Sequence, residues 1–197
     1  MESAQSVNNY NNNVKVEASD NDDNIFVDPS GYYRNLSLSY FVAAPKRMLT
    51  EHERLKERCL ENGNTEAHYI EGVLQFFVQK DIQIGLIHLR KAATGNNPTG
   101  MYLYGLLMLA EGHTHSGKKY LDKLKWKKER RVSDNCWERI KNSLSEIPVP
   151  MKQRYFNNMV NLYPQSKCDP ENLAKVCKKC YYFKRLTQFI LFITNKE

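Results

Sequence analysis

The chain has 197 residues, with 29 Lys+Arg against 22 Asp+Glu and a formal net charge of +7. That length suits one domain with tails, and 41% hydrophobic residues is too many for wholesale disorder. No run approaches the roughly 18 consecutive apolar residues of a membrane span, and Met1-Glu2-Ser3 leading into Asn lacks the cationic-then-apolar pattern of a secretory leader. The five cysteines (Cys59, Cys136, Cys168, Cys177, Cys180) are therefore expected as reduced thiols, in the cytoplasm and/or nucleus.

Residues 1–24 hold seven Asn and five acids against Lys15, which predicts a disordered tail that cannot bury enough surface to offset its ordering entropy. Residues 25–45 carry scattered apolar positions between Pro29-Ser30-Gly31 and Pro45, an irregular anchored segment with room for one short helix. Helical periodicity runs from Lys46 to about residue 163. Met48, Leu55, Cys59 and Leu60 form a first stripe, stopped by Asn62-Gly63; Ala67, Ile70, Val73, Leu74 and Phe77 form a second. Asp81 offers an N-cap to the stripe Ile82, Leu86, Leu89 and Ala93, and Gly95 follows as a natural C′ residue. Asn97-Pro98 restarts a helix with cap and first-turn proline, and Met101, Tyr102, Gly105, Leu106 and Leu109 make its apolar face up to Gly112. Gly117, Tyr120, Leu121 and Leu124 continue, and Ser133-Asp134 opens a helix with Trp137, Ile140, Leu144 and Ile147, ended by Pro148 and Pro150.

An internal repeat organises this stretch. Residues 67–76 align with 100–109 at an offset of 33, while Gly85, Leu89 and Lys91 align with Gly117, Leu121 and Lys123 at 32. Helix-turn-helix units with this period are on the tetratricopeptide scale. Gly72, Gly85, Gly105 and Gly117 each cost a helix about 1 kcal/mol relative to Ala, a cost that close helix–helix approach would offset. Ala92 and Ala93 support the same packing. Two repeats are fewer than the roughly three a stable stack needs, so the flanking helices 46–62 and 133–147 are expected to cap it. The fold class is all-α: tetratricopeptide-like helix-turn-helix repeats with flanking capping helices over 46–147, then a helical extension with a CxxC over 148–197.

The spacing Ala67-x4-Gly72, Gly85-x3-Leu89-x2-Ala92-Ala93-x-Gly95, x9-Gly105 resembles Sel1-like repeats. More specifically, Asp28-Pro29-x3-Tyr33-x3-Ser37-Leu38-x2-Phe41, the helix over 55–63, and Glu66-Ala67-x-Tyr69-x2-Gly72 resemble the segment and helical domain that follow the F-box in a family of plant F-box proteins. The resemblance covers residues 28–147. It implies a non-catalytic, substrate-recognising role in a ubiquitin ligase, with residues 25–45 as the end of an F-box. An F-box needs about three leucine-rich helices and residues 1–24 offer none, so docking of the F-box adaptor is not expected and the protein partner has no identity in the sequence.

Other motifs carry less chemistry. Residues 112–119 nearly match the phosphate loop GxxxxGK[ST], but a helical pattern precedes them and Lys119 replaces the hydroxyl. His113-x-His115 reads as a solvated inter-helix loop. Cys168-x8-Cys177-x2-Cys180 is the one metal-like cluster, and zinc is the cofactor it could take, though four ligands are required. The competing reading is buried structural cysteine, on a helix begun by Asp169-Pro170, with Leu173, Val176, Cys177, Cys180 and Phe183 on one face. Between Lys118 and Arg131 lie eight basic and two acidic residues around Trp126. A basic helix with Lys123, Lys125, Lys127, Lys128, Arg130 and Arg131 is the alternative functional reading, a nucleic-acid-binding face or import signal, against a plain solvated surface. No nucleophile elbow, HExxH or Gly-rich dinucleotide loop points to an enzyme.

Overall fold

A computed structural model describes residues 29–164, 168–169, 171–173 and 175–195; the tail expected over 1–24 lies outside the described residues. All regular structure among these residues is helical. In chain order the helices are α1 (Pro29–Asn35), α2 (Ser39–Ala43), α3 (Arg47–Thr50), α4 (Glu53–Glu61), α5 (Thr65–Val73), α6 (Ile82–Thr94), α7 (Pro98–Ala110), α8 (Thr114–Lys123), α9 (Arg130–Ser143), α10 (Gln153–Val160) and α11 (Tyr181–Thr194). A π-helical turn, Leu74–Val78, closes α5.

Two helical hairpins, α5–α6 and α7–α8, form the centre, and α6 packs on α7. Asn64, Asp81 and Asn97 start three of the helices, their side chains accepting from backbone N–H groups two or three residues further on. The glycines play the same part in both hairpins. A Cβ at Gly72 would sit 2.6 Å from Leu89, and one at Gly105 would sit 2.8 Å from Leu121. In the returning helices, a Cβ at Gly85 would meet Phe76 at 2.7 Å and one at Gly117 would meet Leu109 at 2.6 Å. Each contacting pair maps onto its counterpart by the sequence offset, so the repeat in the sequence is a repeat of one close helix–helix crossing. Ala92 and Ala93, both buried, face the next hairpin, where a Cβ at Gly100 would lie 2.8 Å from that of Ala92.

Helix α7 departs from the single apolar face expected of it. Every residue from Thr99 to Ala110 is buried, because α9, α10 and α11 cover the side that the hairpins leave open. A helix apolar all round is the pattern of one buried all round. The coverings are tied by buried polar links. Tyr69 Oη donates to Ser143 Oγ at 2.9 Å, and that hydroxyl lies 2.6 Å from the carbonyl of Val42, which joins α5, α9 and α2. Ser133 Oγ and Tyr181 Oη lie 2.7 Å apart, and Arg185 pairs with Asp134, which fastens α11 to α9.

Several local expectations change. Residues 29–43 form two short helices rather than an irregular segment, and the first stripe is split at residues 51–52 into α3 and α4. Gly95 has φ −78 while Asn96 takes the left-handed conformation (φ 66), so Gly95 is kept by its close approach to Thr65 rather than by its φ. Helix α9 begins at Arg130, not at Ser133-Asp134, since Ser133 is interior and bonded to Tyr181; it ends at Ser143, ahead of both prolines. No helix begins at Asp169-Pro170 among the described residues: Asp169 caps only a turn, accepting from the N–H groups of Glu171 and Asn172. The face expected from Leu173 to Phe183 therefore does not form.

Candidate functional site

An apolar concavity lies where the π-helical turn ends. There the Gln79 N–H reaches back to the Leu74 carbonyl at 2.9 Å and the Asp81 N–H to the Gln75 carbonyl at 2.9 Å. This wider turn carries the chain from α5 to α6 through Lys80, which holds φ 62. Opposite runs the Pro148-Val149-Pro150 segment, where two prolines forbid a continuing helix. Between them lies a cavity of about 440 Å³ lined by Lys46, Phe77, Val78, Lys80 and residues 148–150. A second, of about 220 Å³, adjoins it through Phe77, Lys80, Val149 and Pro150 and adds Phe76, Ile82, Lys152 and Tyr155. The charged residues lining this groove are all lysines: Lys46, Lys80 and Lys152. Lys46 donates to the Glu146 carbonyl at 2.6 Å, Lys152 pairs with Glu111 at 3.5 Å and lies over the Phe76 and Tyr155 rings, and Lys80 is exposed. An apolar trough with a cationic rim accepts an extended or helical segment that carries apolar anchors and acidic flanks. The sequence signals for it were present but not decisive: Phe76-Phe77-Val78 is one apolar residue too many for a single helical face, and Ile147, Val149 and Met151 alternate with Pro148 and Pro150.

The basic residues at 118–131 do not share a helix. Lys123 ends α8, Lys125 (φ 54), Lys127 and Lys128 occupy a turn, and Arg130 and Arg131 begin α9. Trp126 is buried, stacked on Tyr181 at 3.7 Å with 2° between ring planes, and its Nε1–H donates to Asp122 at 2.8 Å. Its size and flatness serve the packing of α11, so the aromatic that would stack on a base is not offered to solvent. Lys127 pairs with Asp122 at 3.3 Å, Lys123 lies over Tyr120, and Arg130 donates to the Val176 carbonyl. His113 and His115 are exposed at the start of α8.

The three C-terminal cysteines do converge. Cys168 Sγ lies 3.2 Å from Cys177 Sγ, which lies 3.4 Å from Cys180 Sγ, and all three fall within 4.8 Å of one another. Cys180 is buried, Cys168 half-buried and Cys177 exposed. Hydrogen bonds from Cys168 and then Cys180 bring the Cys177 thiol down to about 6. Cys59 and Cys136 are buried elsewhere, where burial raises both, Cys136 to about 12.

A polar cluster unforeseen from the sequence lies between α4, α5 and α6. His68 Nδ1 and His88 Nδ1 are 3.1 Å apart, beside the ion pair of Lys56 Nζ and Glu71 Oε2 at 2.8 Å. Burial first, then the neighbouring His88, holds His68 down to about 4; burial also lowers His88. The unfolded chain takes up a proton near pH 6.5, which the folded chain refuses until about pH 4. Stability is thus full above about pH 6.5 and falls as pH drops through this window. The expected loss by pH 4.5 is roughly 2 kcal/mol from His68. Urea unfolding at pH 7.0, 6.0, 5.0 and 4.5 checks it, with His68→Asn expected to flatten the slope. Equal midpoints at pH 7.0 and 4.5 would sink the assignment.

The architecture defines the class: a helical-repeat protein with an apolar groove between the π-helical turn and residues 148–150. The family described as plant tetratrico peptide repeats matches residues 39–145, more than half of the chain, and the chain belongs to it. An F-box protein of Arabidopsis thaliana is 34% identical over 95 residues, covering 48% of this chain and 58% of the relative. The chain thus matches little more than half of that relative's length. No solved structure matches. Among the described residues, no helix is long and apolar enough to cross a membrane.

Proposed function

We propose that this protein is a non-catalytic recognition module of a plant ubiquitin-ligase setting, and that the groove between the π-helical turn and residues 148–150 holds its partner. The observation that carries this reading is the apolar lining whose charged residues are all lysines. The family membership supports a protein partner, and the F-box relative supports the setting. The partner segment that fits presents two or more large apolar side chains flanked by Asp or Glu. Our reading also assigns the protein to the cytoplasm or nucleus, where reduced thiols persist. It does not call on the F-box adaptor.

Fluorescence anisotropy with labelled twelve-residue peptides tests the proposal. Peptides with aromatic and Leu anchors and acidic flanks are expected to bind, and the same anchors with Lys/Arg flanks are not. Lys80→Glu with Lys46→Glu is expected to weaken binding about tenfold at low salt and less at high salt. Equal binding of both peptide sets, or no effect of the double variant, would overturn the groove. Salt-sensitive retention of RNA, lost on replacing Lys125, Lys127, Lys128 and Arg131 by Ala, would favour the nucleic-acid reading instead.

A further inference from the structure

We infer that Cys168, Cys177 and Cys180 form a binding site for one zinc ion, with three thiolate ligands and a fourth position open to water. The sulfur positions carry this. A tetrahedral zinc with Zn–S bonds of about 2.3 Å sets its sulfurs roughly 3.8 Å apart. The three Sγ atoms lie within 4.8 Å of one another, with neighbours at 3.2 and 3.4 Å. Shifts of about half an ångström bring them to ligating distance around one centre.

The surroundings are built for the same job. Lys184 on α11 is 1% exposed, yet its Nζ reaches no carboxylate. It donates instead to the carbonyls of Asp169, of Asn172 at 2.6 Å and of Lys175 at 2.7 Å. All three ammonium protons thereby fasten the segment that brings Cys168 back over Cys177 and Cys180. A buried lysine carrying an irregular loop on its three donors is a costly arrangement unless the position of that loop matters. At the other end, the Cys177 N–H points to Cys180 Sγ at 3.1 Å, the amide-to-sulfur bond that orients and steadies a thiolate ligand. Loading one ion releases three thiol protons: Zn²⁺ and three S–H groups give a tris-thiolate zinc of charge −1 and three H⁺. The ammonium of Lys184 and the exposed Lys178 and Lys179 offset that charge. No electron is transferred. Cys177, the exposed ligand, puts the open position on the solvent side.

The site does not depend on the groove or on the repeats' partner. Its test uses the full chain, purified under reducing conditions, stripped of metal and titrated with Co²⁺ and then Zn²⁺. One equivalent of Co²⁺ is expected to give the intense thiolate-to-cobalt charge-transfer absorption and the visible bands of a tetrahedral site, and Zn²⁺ to bleach them. Metal analysis should find one zinc per chain. Cys177→Ser, at an exposed position, is expected to lower zinc affinity at least a hundredfold while circular dichroism stays unchanged. His113→Ala with His115→Ala is expected to leave uptake as it was. A Cys177→Ser chain whose zinc affinity, measured by competition with a chelator, stays within about threefold of the parent's would overturn the site. So would a chain that takes up no cobalt yet loses two mass units on air oxidation, because the pair Cys168 and Cys177 would then serve as a disulfide.

Discussion

Replacing Lys56 by Met is expected to remove about 3–5 kcal/mol of folding stability, the usual cost of orphaning one member of a buried ion pair. Both partners are almost entirely buried, and Nζ lies 2.8 Å from Glu71 Oε2. The other carboxylate oxygen accepts from Gln75 Nε2 at 2.7 Å. Burial alone would raise the Glu71 carboxyl, but Gln75 and Lys56 together hold it below its ordinary value. Without Lys56 only the Gln75 bond remains, and the carboxylate is left charged among the two neutral histidines. In a chain of this size the loss corresponds to a melting temperature lower by about 10 °C. The double variant Lys56→Met with Glu71→Met should recover most of it, because removing both charges removes their desolvation cost as well. Thermal unfolding of the three proteins decides the matter: a single variant within 1 °C of the parent would show that the pair is solvated.

The second large effect is expected at Gly85. In an exposed helix, Gly→Ala gains about 1 kcal/mol. Here the added methyl would lie 2.7 Å from the backbone nitrogen of Phe76 and 2.8 Å from its Cα. Main-chain atoms of the π-helical turn cannot rotate away as a leucine tip can, so α6 must move off α5. Overpacking of this kind costs 1–3 kcal/mol and sometimes more, and Gly85→Ala is expected to lose about 2–3 kcal/mol net of the propensity gain. Gly85→Ala with Phe76→Ala should not recover, since the clashing atoms stay. At Gly105 the nearest atom is the Leu121 side chain at 2.8 Å, so Gly105→Ala with Leu121→Ala should be milder than the sum of its parts. Urea midpoints of the single and double variants measure these effects. A Gly85→Ala protein as stable as its parent would mean that the crossing tolerates more distance than it shows.

The two cases differ in how far they could be read from the chain alone. Gly85 stands out as a glycine inside an apolar helical pattern, repeated at Gly117, and that pattern implies close packing before any coordinates. Lys56 and Glu71 look like ordinary solvated helix charges. Nothing within either helix says that α4, α5 and α6 will close over them together. The groove falls between: its apolar residues were visible, but its π-helical turn depends on how α6 returns against α5.

Trp126 shows the same limit. Among eight cations, an aromatic reads as part of a binding face until α11, more than fifty residues later, supplies Tyr181 to stack against it. Helix α7 is similar, its second apolar face unexplained until α9, α10 and α11 arrive to cover it. Helix periods, the Asp81 and Asn97 caps and the glycine spacing are properties of neighbours in the chain, and the residues alone specified the all-α repeat from them. Burial of one side of a helix, pairing of charges and convergence of three thiols are meetings between segments 9 to 51 residues apart, as in Cys168 with Cys177 and Asp134 with Arg185. Such meetings are decided only when the helices pack, because their energy comes from water excluded by both partners at once.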